Sequence, residues 1–533
     1  MKKRIPVILL LLSLIISTCG CGSSAAVESP QADFTAGGKN TIRILSGSEN
    51  KELESILTEC SKKTGVGIEM TYKGSLDIMR ELESGAADYD AVWPASSLWI
   101  SLGDADHLVK HDESISITPV VFGISQGLAK SLGFDKKEVS VKDILAAITE
   151  GKMSFCMTSA TQSNSGASAY IGFLYALLGK QDGMTIDDLH SEDLKNEIRE
   201  LLGGVERSSG SSDWLKEMFL SKDYDAMVNY ESLIIAANNQ LVSEGKEPLT
   251  VIYPYDGLAI SDSPLGYVDH GDGKKEEAFL KLQEYLLSDT VQNEIEATGR
   301  RISANSVSDE NQAVFNSAWG IDTKRILSPI QMPNAEVLME ALNMYQTSFK
   351  KPSLNLYCLD FSGSMYGDGQ KQLTEAMKQI LVQQYATQNL LQANEGEVNI
   401  AILFDSTILD VFIAADDSDA ALEDLYNKIA FYETDSGTDI YQAVAKALEI
   451  ASTYDLKNYT PAIILMTDGQ SQNNRQTFED AYNKYQLDIP VFSITFGDAD
   501  PSQLNSLAEE TGARVFDGTD NLTEAFRNVK GYN

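Results

Sequence analysis

Basic residues are scarce in this chain: 42 Lys and Arg stand against 78 Asp and Glu, a formal net charge of -36. That argues against a nucleic-acid partner, because phosphate binding needs clustered Lys and Arg. Acidity of this kind is mostly solvated surface and otherwise suits cationic or metal partners. Cysteine is also sparse, with five in the chain. Beyond Cys19 and Cys21, the remaining Cys60, Cys156 and Cys358 are far apart and fall in one helix pattern and two strand patterns. An odd, scattered set does not make a disulfide framework; these three read as buried small apolar side chains. Long apolar runs are missing after the N-terminus, so no second segment can span a bilayer. There is no internal repeat and no long low-complexity tract.

What is present is a normal globular balance over 533 residues, 43% hydrophobic and 23% charged. At roughly 150 residues per domain the length predicts three to four folded lobes. The N-terminus has a charged start, Lys2, Lys3 and Arg4, and then an apolar run from Ile5 to Ile16 that is too short for an ordinary span. Ser17-Thr18-Cys19-Gly20-Cys21-Gly22 follows, and the whole resembles a bacterial lipoprotein signal (residues 1–21). The resemblance implies a lipidated first residue. Cys21, preceded by the small Gly20, is favoured; Cys19, with Ile16 three residues earlier, is the alternative. Cleavage removes three basic residues and no acidic one, taking the charge from -36 to -39. Residues 22–40, rich in Ser, Ala, Gly and Pro, read as a flexible tether.

From Thr41 the pattern alternates. Strands are predicted at 41–45, 68–72 and 89–93, with helices at 51–64, ended by Gly65, and 78–85 between them. That order implies a parallel sheet with crossover helices. A second set follows, with a strand at 119–124, Ser140 as the N-cap of a helix at 141–150, strands at 153–157, 224–230 and 249–254, and an amphipathic helix at 274–287. Thr118-Pro119-Val120-Val121-Phe122-Gly123-Ile124, Tyr253-Pro254-Tyr255-Asp256-Gly257, and the series Ala278-Phe279-Leu280, Leu287-Ser288-Asp289, Gln292 and Gly299-Arg300-Arg301 resemble the two-lobed extracellular solute-binding proteins. This implies a two-lobed, periplasmic-binding-protein-like module over residues 41–320, with crossings between lobes near 119–123 and 251–256. Residues 321–351 form a connector helix, with Val337, Leu338, Leu342 and Tyr345 on one face.

The apolar run 354–359 reads as a buried strand and ends in Asp360-Phe361-Ser362-Gly363-Ser364. One carboxylate and two hydroxyls on a tight loop, turned by Gly363, suit a hard divalent cation. Ser436-Gly437-Thr438-Asp439 and Thr467-Asp468-Gly469 supply further oxygens at the edges of other elements. Together these resemble the metal-ion-dependent adhesion site of the von Willebrand factor A (VWA) domain, and residues 352–533 follow its doubly wound α/β (Rossmann-like) order, including a helix at 370–391. The resemblance implies Mg2+ or Mn2+ held by Ser362, Ser364 and Thr438 directly and by Asp360 and Asp468 directly or through water. One position is left open for a partner's carboxylate. Asp439 adds negative charge beside the ion.

In the N-terminal module the cleft residues would be Ser46, Ser48, Ser96, Ser165, Tyr230 and Glu231, where Ser and Gly at helix N-termini can cradle an anion. Glu49, Glu231 and Asp256 disfavour a bare oxyanion, and Trp93 and Trp99 suit either the core or an organic ligand. Gly123-Ile124-Ser125-Gln126-Gly127 matches the Gly-x-Ser-x-Gly pattern of serine hydrolases, but the only later histidines, His190 and His270, sit in no recognisable catalytic setting. The sequence thus points to a lipid-anchored extracytoplasmic binding protein, not an enzyme, that grips a protein partner through the metal site and touches the membrane only by its lipid. The alternative is a receptor that delivers a small solute to a transporter; a serine hydrolase is a distant third.

Overall fold

The computed structural model describes residues 32–303, 306–432, 437–468, 471, 474–496, 501–518 and 522–531. The expected signal peptide, with Cys19 and Cys21, lies outside them. Three six-stranded sheets organise the described chain. The first runs, in spatial order, Phe34–Ala36, Val66–Lys73, Lys39–Gly47, Ala91–Trp93, Pro264–Val268 and Val109–Ser114. Its three central early strands are parallel, as their spacing predicts. Helices Glu54–Thr64 and Ser75–Glu83 make the crossovers, and Gly65, at φ 74°, ends the first of them. Phe34–Ala36 pairs with Val66–Lys73, so the sheet takes in residues that the sequence assigns to the 22–40 tether. Ile42, Ile44, Ile68, Met70 and Trp93 pack with Phe279 and Leu282 of helix Gly273–Leu286 into one core.

The second sheet runs Leu249–Ile252, Thr118–Ser125, Ala226–Tyr230, Phe155–Thr158 and Val205–Ser209, with Ala259–Ser261 also paired to Thr118–Ser125. Ser140 caps helix Val141–Thr149 reciprocally with Asp143, a capping box that satisfies two orphan donors. Helix Asn164–Leu178 is buried along nearly its whole length. It can sit so deep because Gly172 abuts Gly257, where a Cβ on either residue would collide with the other's carbonyl.

The lobe crossings fall elsewhere than the sequence predicts. Thr118–Ser125 and Leu249–Ile252 lie wholly inside the second sheet. The chain crosses outward at residues 115–118 and returns between Ser261, paired with Thr118, and Pro264, paired with Ser114. A third strand of the hinge is Arg301, whose backbone exchanges both hydrogen bonds with Ile117, at 2.7 and 3.0 Å.

Helix Ala335–Met344 continues into a π turn at Tyr345–Phe349. Val337, Leu338, Leu342 and Tyr345 face the second lobe's core as their spacing predicts, and the Tyr170 hydroxyl donates to the Ala341 carbonyl at 2.8 Å.

The third sheet runs Ile408–Ile413, Val398–Phe404, Ser353–Asp360, Thr460–Thr467, Val491–Thr495 and Val515–Asp517, parallel except at its first strand. The helix predicted over 370–391 is broken. Asp368–Leu381 stops at Val382, whose backbone is extended (ψ 102°), and only a short helical turn, Gln383–Ala386, and a 3₁₀ turn, Thr387–Asn389, follow. The kink seats Leu391 in the core and lets the Gln383 side chain accept the Ala393 N–H at 3.0 Å. Buried apolar side chains of the second lobe, including Trp214, Met218 and Phe219, belong to one contiguous cluster with Tyr357, Phe361 and Phe492 of the third sheet. Cys60, Cys156 and Cys358 are free and buried, as expected. No helix among the described residues is long and apolar enough to cross a membrane.

Candidate functional site

Asp360 is the last residue of the strand Ser353–Asp360 and lies at the C-terminal edge of the parallel sheet, where open α/β sheets bind ligands. Parallel pairing sets Phe404 beside Asp360, and Thr467 ends the neighbouring strand on the other side. Asp360 Oδ2 accepts the Thr467 hydroxyl at 2.6 Å, and Oδ1 accepts the Ser362 N–H at 2.8 Å. The hydroxyls of Ser362 and Ser364 are 3.0 Å apart, and Ser364 donates to Asp468 Oδ1 at 2.9 Å. Asp360, Ser362, Ser364 and Asp468 are thereby joined in one chain of contacts. Thr438 approaches on a separate loop that turns at Gly437, φ 74°. The loop is fixed because the Asp439 N–H donates to the Asp405 carbonyl at 2.8 Å, directly after the strand beside Asp360.

The electrostatics favour a cation. Among the described residues neither Asp360 nor Asp468 forms an ion pair. Burial, and then the Asp468 charge, pushes the Asp360 carboxyl up to about 6, against the lowering effect of the Thr467 and Ser362 hydrogen bonds. Burial also raises Asp468. Asp360, buried, and Asp468, half-buried, stand with the Ser362 and Ser364 hydroxyls as a cluster of oxygens of the kind a hard divalent ion takes. Among the described residues the Thr438 hydroxyl makes no hydrogen bond to this cluster, its carbonyl accepting instead from the Ser471 hydroxyl. Ser364 is exposed.

Two local details go beyond the sequence pattern. The loop turns at Gly363 without a positive φ, through a 3₁₀ turn, Gly363–Met365. The Asp439 carboxylate is hydrogen-bonded on both oxygens. Its Oδ1 caps helix Ile440–Ala451 by accepting the Tyr441 and Gln442 N–H groups, and its Oδ2 accepts the side chains of Gln442 and Asn474, each at 2.8 Å. Ser436 and Gly469 lie outside the described residues. Asp405, whose carbonyl positions the Thr438 loop, has no motif in the sequence; its one signal is its place immediately after an apolar run parallel to that of Asp360. Tyr366 and Phe431 are also new, 80% and 84% exposed, on the two segments that flank this edge. Gln370 links those segments by donating to the Tyr432 carbonyl at 2.7 Å.

The six cleft residues scatter over three settings. Ser48 of the first lobe accepts the Ser211 hydroxyl of the second at 2.8 Å, across the seam. Ser165 sits in a hydroxyl cluster with Thr158 and Ser212, each at 2.8 Å, and the Tyr230 hydroxyl accepts Asn164 Nδ2 at 3.0 Å. Asn164 Oδ1 also accepts the Trp99 indole N–H at 2.7 Å, a second seam contact. By contrast, the Ser46 side chain bonds locally, to the Gly47 carbonyl and the Asn50 amide, and Ser96 caps helix Ser97–Gly103. Glu231 belongs to the hinge: its carboxylate takes two bonds from the Arg301 guanidinium, at 2.7 and 2.8 Å, and a third from the Tyr253 hydroxyl, with both charged side chains fully buried. Trp93 and Trp99 are both buried, and Asp256 caps Val141. Glu49 and Asn50 are buried too, and among the described residues Glu49 Oε1 and Asn50 Oδ1 have no hydrogen-bond partner. Ser125 heads helix Gln126–Leu132, while His190 faces Glu340 at 3.6 Å and His270 lies 3.1 Å from the Tyr89 carbonyl. Neither histidine is bonded to Ser125.

The fold and this sheet edge define a two-module α/β protein. Residues 42–301 match the family model described as bacterial extracellular solute-binding protein, and residues 356–528 match that of the von Willebrand factor type A domain. The chain therefore joins an extracellular solute-binding-type module to a VWA domain. No curated protein sequence matches it. Among solved structures it is similar to the ferric binding protein from Campylobacter jejuni, with 15% identity over 57% of this chain and 98% of that one and a TM-score of 0.41. The periplasmic binding protein AfuA from Actinobacillus pleuropneumoniae is 13% identical over 49% and 82%, TM-score 0.39. A von Willebrand factor type A protein from Catenulispora acidiphila is 18% identical over 35% and 43%, TM-score 0.29.

Proposed function

We propose that the chain is a lipid-anchored, extracytoplasmic binding protein that grips a protein partner through a divalent cation on its VWA domain. Asp360, Ser362, Ser364, Thr438 and Asp468 would hold Mg2+ or Mn2+, and the ion would supply an electrophilic point for a partner's carboxylate. One observation carries the reading: a buried carboxylate with no cationic partner among the described residues, linked through two serine hydroxyls to a second, at the ligand-binding edge of the sheet. Tyr366 and Phe431 add exposed apolar surface beside it, suited to a partner segment in which the acidic residue has apolar neighbours. The test is calorimetric titration of MgCl2 and MnCl2 into the wild type and Asp360→Ala, with capture of envelope proteins with and without EDTA. Saturable metal binding and EDTA-sensitive capture, both lost in Asp360→Ala, are expected. Capture that survives both EDTA and the substitution overturns the reading.

A second reading, a receptor for a small solute, is favoured by the unpartnered buried oxygens of Glu49 and Asn50 at the lobe seam, which a ligand bearing N–H or O–H donors would satisfy. It predicts a ligand-dependent rise in melting temperature on a solute screen. A screen with no shift counts against it.

A further inference from the structure

The C-terminal helix, Leu522–Gly531, belongs to the VWA domain. Ala525, Phe526 and Val529 are buried in the core it shares with the third sheet. Lys530 pairs with Glu397 at 3.1 Å and donates to the Leu391 carbonyl at 3.1 Å. Arg527 on the same helix points out of the domain. Its guanidinium pairs with Asp77 of helix Ser75–Glu83 in the first lobe, and its carbonyl accepts the Gln162 side chain of the second lobe. The lobes themselves touch at this point. The Leu76 N–H faces the Gln162 carbonyl at 3.4 Å, and a Cβ on Gly74 would collide with that carbonyl. First lobe, second lobe and VWA helix therefore meet at one junction.

The VWA domain is fixed to the second lobe independently of Arg527. Asp488 pairs with Arg207 and Lys222, Arg514 pairs with Glu217 at 3.3 Å and lies over the Trp214 ring at 5.1 Å, and the apolar core is contiguous. A rotation that parts the lobes at the seam therefore carries Asp77 away from both the second lobe and the VWA body, and it must break the Arg527 pair. That pair is largely out of water, with side chains 13% and 8% exposed, so breaking it costs more than parting an exposed pair. The junction is also poised to part. Arg80, 3.6 Å from Asp77 on the same helix, stays with Asp77 when Arg527 leaves. Among the described residues, Arg527 Nε and Gln162 Oε1 are buried without hydrogen-bond partners in the closed arrangement.

We propose that the C-terminal helix of the VWA domain is a clasp: through Arg527 and Asp77 it holds the first lobe shut on the second, and the cleft opens only when this helix lets go. The proposal is independent of the metal-site reading. The experiment is hydrogen–deuterium exchange of the full chain, comparing wild type with Arg527→Gln, Asp77→Asn and Arg80→Gln. Arg527→Gln and Asp77→Asn should each speed exchange in the seam segments 74–78, 160–165 and 211–214 by roughly tenfold or more, as expected when a buried pair is broken. The strands 353–360 and 398–404, far from the seam in the chain, serve as the fold control and should keep wild-type protection. Arg80 and Asp77 share one helix and cannot bridge two bodies, so Arg80→Gln should leave the seam protected. Unchanged seam exchange in Arg527→Gln and Asp77→Asn overturns the proposal. So does an increase confined to the C-terminal helix, or an equal loosening in Arg80→Gln.

Discussion

Glu49 illustrates what burial does to one side chain. Enclosure at the lobe seam, opposed by its own backbone hydrogen bond and the Arg300 charge, pushes its carboxyl from 4.5 up to about 7. The folded state thus prefers the protonated form. The associated stability is fully present below pH 4.5 and is lost as pH rises through about 7. The difference corresponds to roughly 3 kcal/mol. Glu49→Gln should flatten the pH dependence of urea stability between pH 4.5 and 7 and raise the unfolding midpoint at pH 8; an unchanged profile would show that the carboxyl is solvated in solution. Tyr366 offers a residue-scale test of another kind. It is exposed and is not one of the five oxygen donors, so Tyr366→Ser should weaken partner capture several-fold while Mg2+ affinity by calorimetry stays at the wild-type value.

Among the elements, the most legible in the sequence were those with a local signal. The run ending at Asp360, the Gly65 stop and the Ser140 cap each carry their cause within a few residues, and each stands where expected. The strand Val109–Ser114 escaped because five of its six side chains are exposed, leaving no apolar alternation to read. Helix 370–391 was overextended because Val382 is a tolerable helix residue on propensity, and the break is set by tertiary burial of Leu391. Glu231 was read as a cleft residue because its partner Arg301 lies 70 positions away, beyond any local pattern. The metal-site donors had a recognisable motif, whereas the loop-fixing carbonyl of Asp405 had only its position. Helix Asn164–Leu178 gives the element-scale prediction. Gly172→Ala forces a methyl against the Gly257 carbonyl and should destabilise the chain by about 1–3 kcal/mol, seen as a lower urea midpoint with an unchanged slope.

For the whole molecule, the shared core between the second lobe and the third sheet means that neither module can lose its packing alone. Differential scanning calorimetry should show one transition with equal calorimetric and van't Hoff enthalpies; two separated transitions would show modules that melt independently. A further consequence lies in the order of the strands in the first sheet. Pro264–Val268 fills the place between Ala91–Trp93 and Val109–Ser114, and helix Gly273–Leu286 completes that lobe's core. A chain made from its N-terminus cannot finish its first lobe until more than half of its residues have emerged. The lobe synthesised earliest is the last part of this module to mature, and until then its strands wait with open edges.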